Sequence, residues 1–177
     1  MSKTIKKLLV AAGVLALLMT LILVAMSATF PIINDVTTDP GHPPEYLVDA
    51  PFGGPQLSQM AYNPTFAGIQ RRSYPSLAPL ILKLSPQSAY EAAVAVAARQ
   101  PGWRVVSQDT QGLRFQIVAT TALLRFKDDV VVTVSGPEGQ AVVNVRSRSR
   151  IGKSDFGANA KRISSFLDAV SAAAEHK

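Results

Sequence analysis

The stretch with the most evident chemistry is Asn144-Val145-Arg146-Ser147-Arg148-Ser149-Arg150. In an extended strand alternate residues share a face, so Arg146, Arg148 and Arg150 form one cationic stripe. The next segment, Ile151-Gly152-Lys153-Ser154-Asp155-Phe156-Gly157, reads as a loop entering a helix. Free backbone N–H groups at such a start, with Arg150 and Lys153 close by, suit a phosphate or a carboxylate. Arg146, Arg148, Arg150 and Lys153 are therefore the candidate anion- or partner-binding residues. A structural reading stands beside this one. The stripe can be a sheet face paired to Asp129 and its neighbours, and Asp155 can cap the helix and fill the anion position itself.

Other chemistry has little to draw on. Cysteine is absent, which excludes disulfides, iron–sulfur clusters, thiolate zinc sites and cysteine nucleophiles. The two histidines are His42 and His176. Ser147 or Ser149 with Asp128 lacks a histidine nearby in sequence. His42 can reach in from upstream, but no triad spacing supports it. Asp128 and Asp129 lack the glycine-spaced ligand pattern of a calcium loop, and pairing with arginine suits them better. No metal and no cofactor is expected. The Arg-Ser repeat carries no interleaved aromatic residues, so nucleic acid is not an expected partner.

The elements that must position these residues follow from the rest of the chain. Its 177 residues suit one modest domain. Lys3, Lys6 and Lys7 precede an uncharged run, Leu8 to Met26, interrupted only by Gly13 and Thr20. Nineteen helical residues span about 28 Å, close to the hydrocarbon core of a bilayer. The run shows no polar face, and the lysines belong on the cytoplasmic side. No Lys or Arg follows until Arg71. The bulk of the chain is therefore expected on the exported, periplasmic or extracytoplasmic, side. A cleaved signal peptide, with Ala25 and Ser27 at the cut, is the alternative; the length of the run favours an uncleaved anchor.

Residues 1–30 are the anchor or signal segment, 31–76 a proline-rich arm, and 77–177 a globular domain. The arm and the proline-rich stretch that continues to Pro79 hold nine of the twelve prolines, which excludes long helices and central strands. Yet Ile32, Ile33, Tyr46, Phe52, Met60 and Tyr62 are more apolar than a spacer needs, so parts of the arm are expected to pack on the domain. Charge divides likewise: +3 over residues 1–30, −4 over 31–70, and +7 over 71–177, from 15 basic and 8 acidic residues.

From Leu77 the pattern is regular. Leu77 to Leu84 reads as a strand, and Ser85-Pro86 starts an alanine-rich helix that Pro101-Gly102 ends. Trp103 to Gln108, Leu113 to Thr121, Asp129 to Ser135 and Ala141 to Arg150 read as strands, and Phe156 to Ala174 as a helix. The order β-α-β-β-β-β-α gives an α+β fold, an antiparallel sheet covered by helices on one face. Facing the valines of the last two strands inward suggests a register in which paired numbers sum to 275, setting Asp129 opposite Arg146 and Asp128 opposite Ser147.

These residues resemble a known family, the bacterial and plastid domain of unknown function 1499. The segments that carry the resemblance are Asp35 through Thr38-Asp39-Pro40 to Pro43-Pro44, Tyr74-Pro75, Pro101-Gly102-Trp103, Arg125-Phe126-Lys127-Asp128-Asp129-Val130, and Val145 through Asn159 with Arg162 and Ile163. The resemblance spans about Ile32 to Leu167. It implies no activity. It does imply that Asp128 and Asp129 act together with the Arg-Ser strand, and that the loop–helix residues Gly152, Ser154, Asp155, Gly157, Asn159 and Arg162 belong to one motif. It also places Asp35 to Pro44 in the same folded unit. The function expected is a non-enzymatic module, membrane-attached through residues 8–26, that binds an envelope protein or an anionic ligand. The alternative is an enzyme, hydrolytic in type, with a cleft joining Asp128, the Arg146–Arg150 strand and the arm around His42.

Overall fold

The computed structural model describes residues 2–175, so His176 lies outside the described residues. Helix α1 spans Lys3–Thr29, and its stretch Lys3–Ile22 is long and apolar enough to cross a membrane; none of that stretch is buried against the rest of the chain. An exposed apolar helix of this length at the N-terminus is a candidate membrane anchor or signal sequence.

The remainder is α+β. Strands β3 (Trp103–Asp109), β4 (Arg114–Thr120), β5 (Lys127–Ser135) and β6 (Ala141–Ser149) form an antiparallel meander. Two three-residue strands, β1 (Asp35–Thr37) and β2 (Leu80–Leu82), lie end to end along the outer edge of β6. Helices α3 (Pro86–Arg99) and α4 (Ala158–Ala174) cover one face. The Ser85 hydroxyl accepts the Ser88 N–H at 3.0 Å and caps α3, with Pro86 in its first turn.

The alternating residues of the sheet sort onto two faces. Phe115, Ile117, Val130, Val132, Val143 and Val145 pack with Ile163, Phe166 and Val170 of α4 and the alanines of α3. Trp103 stacks on Phe166 with ring centroids 5.3 Å apart. The opposite face is covered as well. Tyr46, Ala50 and Met60 from the proline-rich arm bury Val131, which is why most of β5 is closed on both sides.

Two features differ from the sequence expectation. The arm contains the nine-residue helix α2 (Thr65–Ser73), held between Pro64 and Pro75, as well as β1. The β5–β6 register sums to 277: Asp129 faces Arg148 and Asp128 faces Ser149. A slip of two keeps every valine on the core face, so alternation alone does not separate the two registers.

Candidate functional site

The Arg-Ser-Arg-Ser-Arg strand divides its labour by parity. Its arginines point to the arm and its serines to α4.

Arg146 is 2% exposed, and the domain and arm meet on it. Its Nε donates to Asp35 Oδ1 at 2.9 Å and its Nη2 to Asp35 Oδ2 at 2.7 Å. Nη2 also donates to the Met60 carbonyl at 2.7 Å, and Nη1 to the Pro44 carbonyl at 3.2 Å. The guanidinium lies over the rings of Tyr46 at 4.8 Å and Tyr62 at 5.4 Å. Two donors on two carboxylate oxygens is the geometry of an ionised pair. Burial raises the Asp35 carboxyl above its ordinary range despite Arg146. Burial also works against charge on Arg146, but the hydrogen bonds and charge of Asp35 outweigh it and hold the guanidinium above its usual value. A buried pair of this kind fixes geometry more than it adds net stability.

Arg150 makes a second bidentate pair. Nε and Nη2 donate to the two Asp129 oxygens at 2.8 and 2.7 Å, and Nη1 donates to the Pro51 carbonyl at 2.8 Å. Asp129 thus pairs diagonally with Arg150, not with Arg146 as the shorter register placed it. Gly54 makes room for this contact: a Cβ there falls 2.6 Å from the Arg150 guanidinium carbon.

On the helix face Asp128 pairs with Arg162 of α4. The Ser147 hydroxyl donates to Asn159 Oδ1 at 2.7 Å and accepts from Arg162 at 2.9 Å. Asn159 Nδ2 donates to Ser149 Oγ and to the Asn34 carbonyl, each at 3.1 Å. Asp155 accepts the N–H groups of Gly157 and Asn159, both at 2.9 Å, so its carboxylate occupies the start of α4. Ser154 donates to the Pro31 carbonyl at 3.1 Å, and the Gly152 carbonyl accepts from Asn34 at 2.8 Å. Loop and strand motif residues therefore fasten residues 31–35 to α4.

Sequence reasoning missed the side chains that complete these junctions. Gln116 Oε1 accepts the N–H groups of Leu47 and Val48 at 2.9 and 3.1 Å, and its Nε2 donates to the Val48 carbonyl at 3.2 Å. Gln70 of α2 meets the Thr37 backbone the same way, accepting its N–H at 2.9 Å and donating to its carbonyl. One amide offers one donor and one acceptor, as a neighbouring strand would. The regional charge, −4 over residues 31–70 against +7 over residues 71–177, is the sequence signal for such docking.

Not every candidate is engaged in this way. Arg148 is half-buried and donates to the Gln59 carbonyl at 2.8 Å, while Lys153 is exposed. Neither has an ion-pair partner among the described residues. Arg148 lines an open groove of about 550 Å³ with Arg125, Lys127, Arg150 and Phe52, and no carboxylate lines it. The Phe52 ring lies under Lys127 at 5.5 Å and Arg104 at 5.4 Å. A second cavity, about 820 Å³, lies within the arm above Arg146 and is lined by His42 and Glu45. His42 stands on this arm side, 91% exposed, whereas Asp128 faces α4 through the sheet. The structure does not bring the residues of the enzyme alternative into one cleft. Asp128 and Asp129 likewise point to opposite faces, and no group of three His, Asp or Glu residues suited to a metal occurs among the described residues.

An apolar N-terminal helix followed by an α+β domain, closed by arginine–carboxylate pairs, defines the class of architecture. The chain belongs to the family described as protein of unknown function DUF1499, whose model matches residues 35–170. The match begins at Asp35, the partner of Arg146, and ends at Val170 in the last helix of the core. The comparison with curated proteins found no match.

Proposed function

We propose that this protein is a membrane-anchored, exported, non-enzymatic module that holds an anionic group in the groove formed by Arg125, Lys127, Arg148 and Phe52. The observation that carries the reading is the groove itself, where four cationic side chains converge and no acidic one does. Arg150 is already tied to Asp129, which leaves Arg125, Lys127 and Arg148 to meet an incoming charge. Uncompensated cations around an apolar ring attract phosphate or carboxylate, with the Arg148 fork available for bidentate contact. The orientation rests on Lys3, Lys6 and Lys7 ahead of α1 and on the acidic segment after it.

The test is thermal denaturation of the full chain in detergent with inorganic phosphate, glycerol phosphate and a dicarboxylate at two salt concentrations. A bound ligand at about 100 times its dissociation constant adds about 2.7 kcal/mol to the native state. The expected result is a salt-sensitive stabilisation that the double variant Lys127→Ala, Arg148→Ala abolishes. Stabilisation that persists in this variant places the anion elsewhere, and no stabilisation by any compound removes the anion reading.

A further inference from the structure

We infer that the end of the sheet bearing this groove lies on the bilayer surface, with its loops in the interface and its cations on anionic phospholipid headgroups. The inference rests on the anchoring proposed above and names the ligand class of the same groove.

The first argument is the absence of slack. Helix α1 ends at Thr29, and the domain takes hold of the chain at once. The ring of Phe30 lies against Gly157, where a Cβ would come within 2.8 Å of it. The Pro31 carbonyl accepts from Ser154, Ile33 is fully buried, and the Ile33 and Asn34 carbonyls accept from the N–H groups of Asp155 and Ser149. The uncharged run of α1 continues to Met26, and the helix ends at Thr29, so about three helical residues, or about 4.5 Å, separate the run from the domain. The headgroup layer on each side of the hydrocarbon core is about 5–7 Å thick. The part of the domain that holds residues 30–34 is therefore kept at the headgroups.

That end of the sheet is where the exposed apolar side chains gather. β1 begins there, pairing Asp35 with Arg148, and so do the β4–β5 and β6–α4 loops. Leu123 is 89% exposed, Ile32 67%, Ile151 66% and Leu124 63%, joined by Phe126 and Phe156. Arg125, Lys127, Arg148 and Lys153 are interspersed among them. The opposite end differs: its turns are Asp109-Thr110-Gln111-Gly112 and Gly136-Pro137-Glu138-Gly139-Gln140. Apolar side chains with interspersed cations suit an interface where acyl chains meet phosphates. Among the described residues four non-glycine residues have positive φ, and three of them, Phe52, Arg125 and Phe156, present side chains from this end. Such backbone is held only where the surrounding structure enforces it.

The chain has no cysteine, so single labels can be placed on it without background. Leu124→Cys, Ile151→Cys and Glu138→Cys variants of the full chain would each carry a nitroxide. They would be reconstituted into vesicles of phosphatidylcholine alone or phosphatidylcholine with phosphatidylglycerol. Collision with oxygen, which partitions into lipid, is compared with collision with a water-soluble nickel chelate. The expected oxygen-to-nickel ratio at Leu124 and Ile151 is several-fold above that at Glu138. It rises further with phosphatidylglycerol, and Lys127→Ala with Arg148→Ala removes that rise. If the chain does not float with the vesicles, anchoring is wrong and the docking falls with it. A chain that floats while Leu124 and Ile151 match Glu138 keeps its anchor and overturns the docking. Equal immersion in both lipids overturns the headgroup contact.

Discussion

Arg146 and Arg148 stand two residues apart on one face of one strand, yet they belong to different regions of the molecule. Arg146 lies under the arm, with a carboxylate, two carbonyls and two aromatic rings around it. Arg148 lies at the open end, with one carbonyl and a groove. The chemistry is the same and the position along the strand decides the role. Where Asp35, Pro44 and Met60 meet the strand an arginine becomes a structural pin; at the groove lined by Phe52 to Pro55 the next arginine has no carboxylate partner and keeps its charge available. A run of like residues is thus not one site.

The widest separation between the regions is expected in stability. Arg146→Ala leaves Asp35 buried without its cation and should cost about 3–5 kcal/mol in denaturant unfolding of the full chain in detergent. Replacing both partners, Asp35→Leu with Arg146→Met, should cost less than Arg146→Ala alone. A loss under about 1 kcal/mol for Arg146→Ala would erase the distinction. On the helix face, Asn159→Ala strips partners from Ser147, Ser149 and Arg162 and should cost about 1–3 kcal/mol. If it unfolds no more easily than wild type, the serines of the strand do not fasten α4.

Alkali sharpens the comparison. Burial raises Tyr46 well above its ordinary phenol value, with the Asp35 charge adding to it. Burial raises Tyr62 to about 12, again with Asp35 adding. A phenol raised in the fold favours the native state below its unfolded value near 10. That contribution is lost as pH rises from there through the folded value. Absorbance near 295 nm, tracked together with circular dichroism, should show no phenolate from these two rings at pH about 10. Ionisation there while the fold persists would mean the arm is open. The smallest expected effect is that of Arg148→Ala, within about 0.5 kcal/mol of wild type, as for a surface substitution. A loss near that of Arg146→Ala would make the open end structural as well.

The repeating elements were legible in the sequence. Three- and four-residue spacing marked α3 and α4 and alternation marked β4 and β6, because one face of each packs in the helix–sheet core, while a run of valines marked β5, which is covered on both faces. What alternation cannot contain is the even-numbered slip in the β5–β6 register, since valines two apart are equivalent to the core. β1 and α2 were hidden for another reason. Three residues carry no periodicity, and α2 sits in proline-rich sequence. The arginines share one face of the strand, as alternation requires, but their division into pinned and open members depends on the path of the arm. Asp35 meets Arg146 across 111 residues, a distance over which local pattern says nothing. Asn159 and Arg162 stood out only within a long motif; their work on Ser147 and Ser149 needs the packed helix.

The pairing of β1 with β6 has a consequence for how the protein comes into being. The first strand of the domain finds its partner only in the last one, Asp35 beside Arg148. Closing so long a loop is slow and brings no reward until both ends are present. A nascent chain would therefore keep its leading strand unpaired until residue 150 had left the ribosome. Completion of the fold is coupled to completion of the chain, and a chain ending before β6 would leave Asp35 without its Arg146 partner and β1 without a neighbouring strand.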